Sequence, residues 1–85
     1  MKIAVVDDER PARSELKYLI SQCEPNTEIA EADDSETFLE MLDSESFDVC
    51  FVDINLGGMN GTTLASMIKR KQPDTLIIFA TAFQE

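Results

Sequence analysis

"KIAVVDDERPAR", residues 2–13, passes in one step from an apolar run to three consecutive acids and then to a proline. Residues 2–6 form a short run that reads as a strand buried on both faces, as in a parallel sheet. Pro11 suits the first turn of a helix, where its missing N–H costs nothing. The helix predicted over "RPARSELKYLISQC" (10–23) turns Ala12, Leu16, Leu19, Ile20 and Cys23 inward, and Pro25 and Asn26 end it. Asp7, Asp8 and Glu9 therefore fall where a buried strand gives way to a helix.

The same alternation continues outward. "TEIAEA" (27–32) is a more polar strand, placed at a sheet edge. "DSETFLEMLDSE" (34–45) is a helix with Asp34 or Ser35 as N-cap and Phe38, Leu39, Met41 and Leu42 on its inner face. "FDVCFVDI" (47–54) is the most apolar strand and belongs at the centre. "NLGGMNG" (55–61) is a turn-rich loop. "TTLASMIKRKQ" (62–72) is a helix with Leu64, Ala65 and Ile68 inward, and Lys69 to Lys71 lie favourably at its C-terminal end. Thr62 and Thr63 read as helix-start residues. "TLIIFATA" (75–82) is a further buried strand. The order β-α-β-α-β-α-β predicts an α/β fold, a doubly wound parallel sheet with helices on both faces.

The 85 residues suffice for one domain, taken over residues 1–85, with a thin core. A formal net charge of −10 argues against direct nucleic-acid binding and against anionic membranes, and suits a cation or a basic partner. Acidity also serves solubility alone. Cys23 and Cys50 lack metal-ligand spacing, and the sequence has no histidine to complete a zinc site. Cys50 reads as a small buried hydrophobe, and Met41, Met59 and Met67 as packing residues. Reduced thiols, with no signal peptide or long apolar span, point to the cytoplasm.

In a doubly wound sheet the working site lies beyond the carboxyl ends of the strands, where the strand order reverses. That rule brings Asp7 and Asp8 close to Asp53. Two carboxylates about 4 Å apart repel by roughly 4 kcal/mol at an effective dielectric of 20, which a proton or a cation must relieve. An oxygen-only, partly open site suits Mg²⁺, which keeps several waters and bridges to phosphate. A carboxylate can itself accept a phosphoryl group. Asp53, on a central strand entering a loop with Gly57, Gly58 and Gly61, is the candidate nucleophile, with Asp7 and Asp8 as metal holders and Thr81 as a hydroxyl donor. Taken singly, Asp7 and Asp8 would be helix caps, Asp53 a turn former and Thr81 an ordinary strand residue. Their joint placement at three strand ends favours the functional reading.

"VVDDE" after the first strand, "FVDINLGGMNG" around Asp53, and Thr81-Ala82 resemble the receiver domains of two-component response regulators. Gly61, eight residues after Asp53, also falls where that family places glycine. "VDDERPARSELKYLI" and "IIFATAFQE" are most similar to receivers that precede LytTR-type DNA-binding domains. The resemblance implies the flavodoxin-like order 2-1-3-4 for these strands. It implies that Asp53 accepts phosphoryl from a sensor histidine kinase. Asp8, Asp53 and the backbone carbonyl of Asn55 would bind Mg²⁺, with Asp7 acting through water. Thr81 would contact the phosphoryl group as a switch, with Ala82 leaving room beside it.

Two departures stand out. Gly57 occupies a position where the family often has proline. The chain also stops at Glu85, whereas the resemblance implies a further helix, a fifth strand followed by a phosphoryl-pairing lysine, and a final helix. Lys69, Arg70 and Lys71 are no substitute, because they close a helix at the opposite end of the sheet. The expectation is a truncated receiver with impaired phosphorylation. It would form homo-oligomers through an exposed fourth strand and uncovered sheet faces. A non-catalytic pseudo-receiver that binds a partner without being phosphorylated is the alternative. A phosphatase resembling the haloacid dehalogenase group would want an acid where Asn55 stands. A dinucleotide site fails for want of G-x-G-x-x-G.

Overall fold

The structure, a computed structural model, describes residues 1–56 and 59–80. In chain order its elements are β1 (Lys2–Val6), α1 (Arg10–Cys23), β2 (Glu28–Ala32), α2 (Ser35–Leu42), β3 (Val49–Val52), α3 (Gly61–Lys71) and β4 (Leu76–Phe79). All strand pairings among the described residues are parallel, in the order β2-β1-β3-β4. The expected fold class and strand order are the observed ones.

β1 is buried on both faces because its side chains alternate between two cores. Ile3 and Val5 pack with Ile20 and Leu16 of α1. Ala4 and Val6 join Phe38, Leu42, Cys50, Val52, Leu64 and Ile68 beneath α2 and α3. β2 takes the edge, as its polar sequence predicted. Met41 and Met59 pack against the larger core, and Cys50 lies inside it.

Asp34 is the N-cap of α2, its side chain accepting the Thr37 N–H at 2.7 Å. α3 begins at Gly61, capped by Asn60, whose Oδ1 accepts the Thr62 N–H at 2.7 Å. Gln72 closes that helix and ties the far end of the sheet together. Its amide donates to the carbonyls of Leu42 and Glu45, and its Oε1 accepts the Phe47 N–H.

Two expectations need correction. β4 is not the buried strand that its apolar sequence suggests, and its exposure accords with the exposed fourth strand also expected above: Leu76, Ile78 and Phe79 are 56%, 39% and 43% exposed. Leu76 and Ile78 register with Val49 and Phe51 on the α1 side of the sheet, and α1 stands over Ile3 and Val5 instead. Leu19 and Cys23 do not point inward; Leu19 is 51% exposed and Cys23 is exposed. The buried stripe of α1 is rotated toward Arg13 and Lys17, which reach Glu31 on β2, and Leu19 lies on the opposite flank. The helix-cap role set aside for Asp7 and Asp8 in favour of the acidic site is indeed not theirs at α1. Glu9 holds that position, without a side-chain capping bond.

Candidate functional site

The sheet ladder itself brings the acids together. Val6 of β1 registers with Val52 of β3 and with Ala32 of β2. The next residue on each strand continues the pattern: Asp53 N–H donates to Val6 O at 3.0 Å, and Asp7 N–H to Ala32 O at 3.1 Å. β1 lies between β2 and β3, so this is the point at which the strand order reverses. Asp7, Asp8 and Asp53 each place a carboxylate oxygen so that the three lie within 4.8 Å of one another.

The backbone is held tightly here. Asp7 Oδ1 accepts the Glu9 N–H at 2.9 Å, and Asp53 Oδ1 accepts the Asn55 N–H at 3.1 Å. Asp53 therefore forms a turn and also belongs to the acidic cluster. Gly61 N–H donates to Ile54 O at 2.9 Å, which docks the start of α3 against the chain just after Asp53. A Cβ on Gly61 would fall on the Asp53 carbonyl and 2.7 Å from Ile54 Cα. Glycine eight residues beyond Asp53 is thus a requirement of close backbone approach.

Asp7 and Asp53 are each 7% exposed, while Asp8 is exposed. Burial pushes the Asp7 carboxyl above its ordinary value. The Glu9 N–H opposes that shift, and the charges of Asp53, Asp8 and Glu9 add to it. The pocket thus gathers negative charge that is poorly solvated and mutually repelling. Hard oxygen donors with surplus negative charge, one of them open to water, fit a small divalent cation such as Mg²⁺.

Of the predicted site residues, Asp7, Asp8, Asp53 and Asn55 are brought to one end of the sheet. Thr81, and with it Gly57, Gly58 and Ala82, lies outside the described residues. Lys69 is at the opposite end, as expected: its Nζ donates to the carbonyls of Pro73 and Thr75. Sequence reasoning passed over Arg13, whose Nη1 donates to Asp7 O at 2.8 Å. The available signal was the pair Arg13 and Lys17, four apart on one helix flank with an acid at Glu31 to receive them.

A parallel, doubly wound domain with an acidic pocket at its switch point defines a class, and sequence comparison supplies the family. Residues 3–85 match the response regulator receiver domain, and the chain belongs to that family. Sensory transduction protein LytR of Staphylococcus haemolyticus is 46% identical over 82 residues, covering 96% of this chain and 32% of that protein. Sensory transduction protein LytT of Bacillus anthracis is 41% identical over 85 residues, covering 100% of this chain and 35% of that protein. The chain thus spans about a third of the length of the curated relatives it matches. Among solved structures, response regulator TrrA of Thermotoga maritima, in complex with Mg²⁺ and beryllium fluoride, superposes with a TM-score of 0.85 at 34% identity. That match covers 98% of this chain and 70% of that one. TrrA in complex with the histidine kinase ThkA matches with a TM-score of 0.83 at 33% identity, covering 99% and 71%.

Proposed function

We propose that Asp53 is the phosphoacceptor of this receiver domain and takes its phosphoryl group from a sensor histidine kinase. A carboxylate oxygen of Asp53 attacks phosphorus, a P–O bond forms, and the P–N bond to the kinase histidine breaks with its electron pair left on the imidazole. The carrying observation is the convergence of three carboxylates within 4.8 Å, with Asp53 directly after β3 and bonded through its N–H to Val6 of β1. Asp53 Oδ1 accepts the Asn55 N–H at 3.1 Å, which orients the carboxylate from the turn that follows β3.

Asp8, Asp53 and the carbonyl of Asn55 would hold Mg²⁺, with Asp7 acting through water. The bound ion would neutralise charge on the phosphoryl oxygens. The remaining work falls to this chain's own groups. The β1–β3 ladder fixes the carboxylates, and the Gly61 contact fixes the main chain behind Asp53. Thr81 is proposed to give its hydroxyl to a phosphoryl oxygen. TrrA, solved both with Mg²⁺ and beryllium fluoride and with a kinase, supports the same ligand and partner class for this chain. Among the described residues no helix is long and apolar enough to cross a membrane, and action in the cytoplasm is the natural setting.

The test is incubation with a small phosphodonor, with and without Mg²⁺, followed by intact-mass measurement. A gain of one phosphoryl group that needs Mg²⁺ and is lost in Asp53→Ala supports the reading. Mg²⁺-dependent stabilisation with no mass gain supports the alternative of a partner-binding pseudo-receiver.

A further inference from the structure

We infer that Arg13 is the positioning residue of the acidic pocket: it fixes the β1–α1 turn so that Asp7 and Asp8 face Asp53. This rests on the phosphoacceptor reading for what the pocket binds. Arg13 stands on the turn of α1 nearest the site, and its donors divide between two targets. Nη1 donates to Asp7 O at 2.8 Å, and Nε to Glu31 Oε1 at 3.3 Å. The other oxygen of Glu31 accepts from Lys17 at 2.8 Å. Glu31 therefore receives one cation on each oxygen and holds the Arg13 fork with its free side toward Asp7. The Arg13 side chain is only 13% exposed, so the arrangement is packed rather than loose.

Asp7 is thereby held at three atoms. Its N–H is bound by Ala32 O, its Oδ1 by Glu9 N–H, and its carbonyl by Arg13. The first two contacts come from main chain that the strand and turn already place. Arg13 is the side chain that ties this turn to both α1 and β2. The planar fork meets the carbonyl and the carboxylate from two separate nitrogens at fixed spacing, whereas an ammonium would have to reach both from a single nitrogen.

The sign of the effect separates positioning from charge. Removing a cation near an acidic pocket would by itself strengthen attraction for a divalent ion. Loosening the turn weakens binding instead. Outer contacts that orient metal ligands typically matter by about 10–100-fold in affinity.

The test is an NMR titration with Mg²⁺ of the wild-type protein and of Arg13→Gln, Arg13→Lys and Lys17→Ala. The Arg13→Gln protein is expected to bind on the order of tenfold more weakly. Arg13→Lys, which keeps the charge and most of the buried stem, is expected to remain weak. Lys17→Ala, which leaves the Asp7 contact in place, should bind as wild type does. Binding by either Arg13 variant as tight as wild type, or tighter, overturns the inference, as does a loss in Lys17→Ala equal to that in Arg13→Gln. Wild-type protein that binds no Mg²⁺ overturns the phosphoacceptor reading as well. Wild-type binding with unaffected Arg13 variants overturns this inference alone.

Discussion

Asp7 and Asp53 are neighbours because Val6 and Val52 are: the parallel ladder that pairs those valines continues one residue further, through the bond from Asp53 N–H to Val6 O at 3.0 Å. The sheet therefore pushes together two carboxylates that would otherwise avoid each other. Burial first, and then the charges of Asp53, Asp8 and Glu9, push the Asp7 carboxyl upward, which marks the desolvation and the repulsion that folding tolerates.

Asp7→Asn should consequently raise the melting temperature of the metal-free protein. The amide keeps an oxygen for the Glu9 N–H and removes one charge from the cluster. In a domain of this size each 1 kcal/mol moves the midpoint by about 4–8 °C, so a rise of a few degrees is expected. The same substitution should shrink the further rise that added Mg²⁺ gives the wild-type protein. Thermal scans of both proteins, each with and without Mg²⁺, measure the two effects; a fall in the metal-free midpoint would contradict the account of the pocket.

Gly61→Ala should be costly although it adds a single methyl group. That methyl would collide with the Asp53 carbonyl and stand 2.7 Å from Ile54 Cα, both of them main chain that cannot rotate away. The start of α3 must move off residues 53–54, and the Gly61 to Ile54 hydrogen bond stretches with it. Overpacking of this kind costs typically about 1–3 kcal/mol. Urea denaturation measures the loss, and phosphorylation by a small donor should fall with it because Asp53 is displaced. An alanine variant as stable as wild type would show that the helix start has room to shift.

The alternation of apolar runs with helical spacing made the parallel sheet and its acidic end legible in the sequence, while the strand order followed only from the resemblance to receiver domains. β1 shows why: a strand whose two faces both feed cores must be apolar at every position, and Ile3 to Val6 are. Asp53 could be placed because a central strand ends there. Arg13, Glu31 and Gln72 could not be placed in the same way. Their contacts join elements far apart in sequence, such as Gln72 with Leu42 and Glu45, and no periodicity encodes those pairs. The exposure of Leu19 was equally hidden. A helix sequence shows an apolar stripe, but the Arg13 and Lys17 contacts with Glu31 decide which flank turns toward the sheet.

The Glu31 pair gives a pH dependence with a definite sign. A hydrogen bond from Lys17, and then Arg13, lowers the Glu31 carboxyl below its ordinary value. A carboxylate lowered on folding stabilises the native state above its unfolded value and loses that contribution as pH falls through the folded one. Wild type should therefore exceed Glu31→Gln in stability near neutral pH, with the gap closing under acid. The Glu31 side chain is 35% exposed, so the gap is screened and at most about 1 kcal/mol. Denaturation midpoints of the two proteins across the acid range measure it. A gap that persists unchanged below the ordinary carboxylate range would assign the effect to packing instead of charge.

Self-association through β4 is the proposal with opposing forces to weigh. Leu76, Ile78 and Phe79 are exposed on a strand that, among the described residues, pairs only with β3. Such an edge offers unpaired main-chain groups beside apolar side chains, and both favour a second copy. A net charge of −10 on each chain acts against it. Salt screens that repulsion, with a Debye length of about 10 Å at 0.1 M, and leaves apolar contact largely intact. Sedimentation of the 85-residue chain should therefore show association that strengthens with both concentration and salt. Ile78→Lys, which places a charge on the edge, should return the chain to monomer without altering its circular dichroism. Association that weakens with salt would point to ion pairing across the interface, and a single monomeric species at every concentration and salt level would remove β4 as a contact surface.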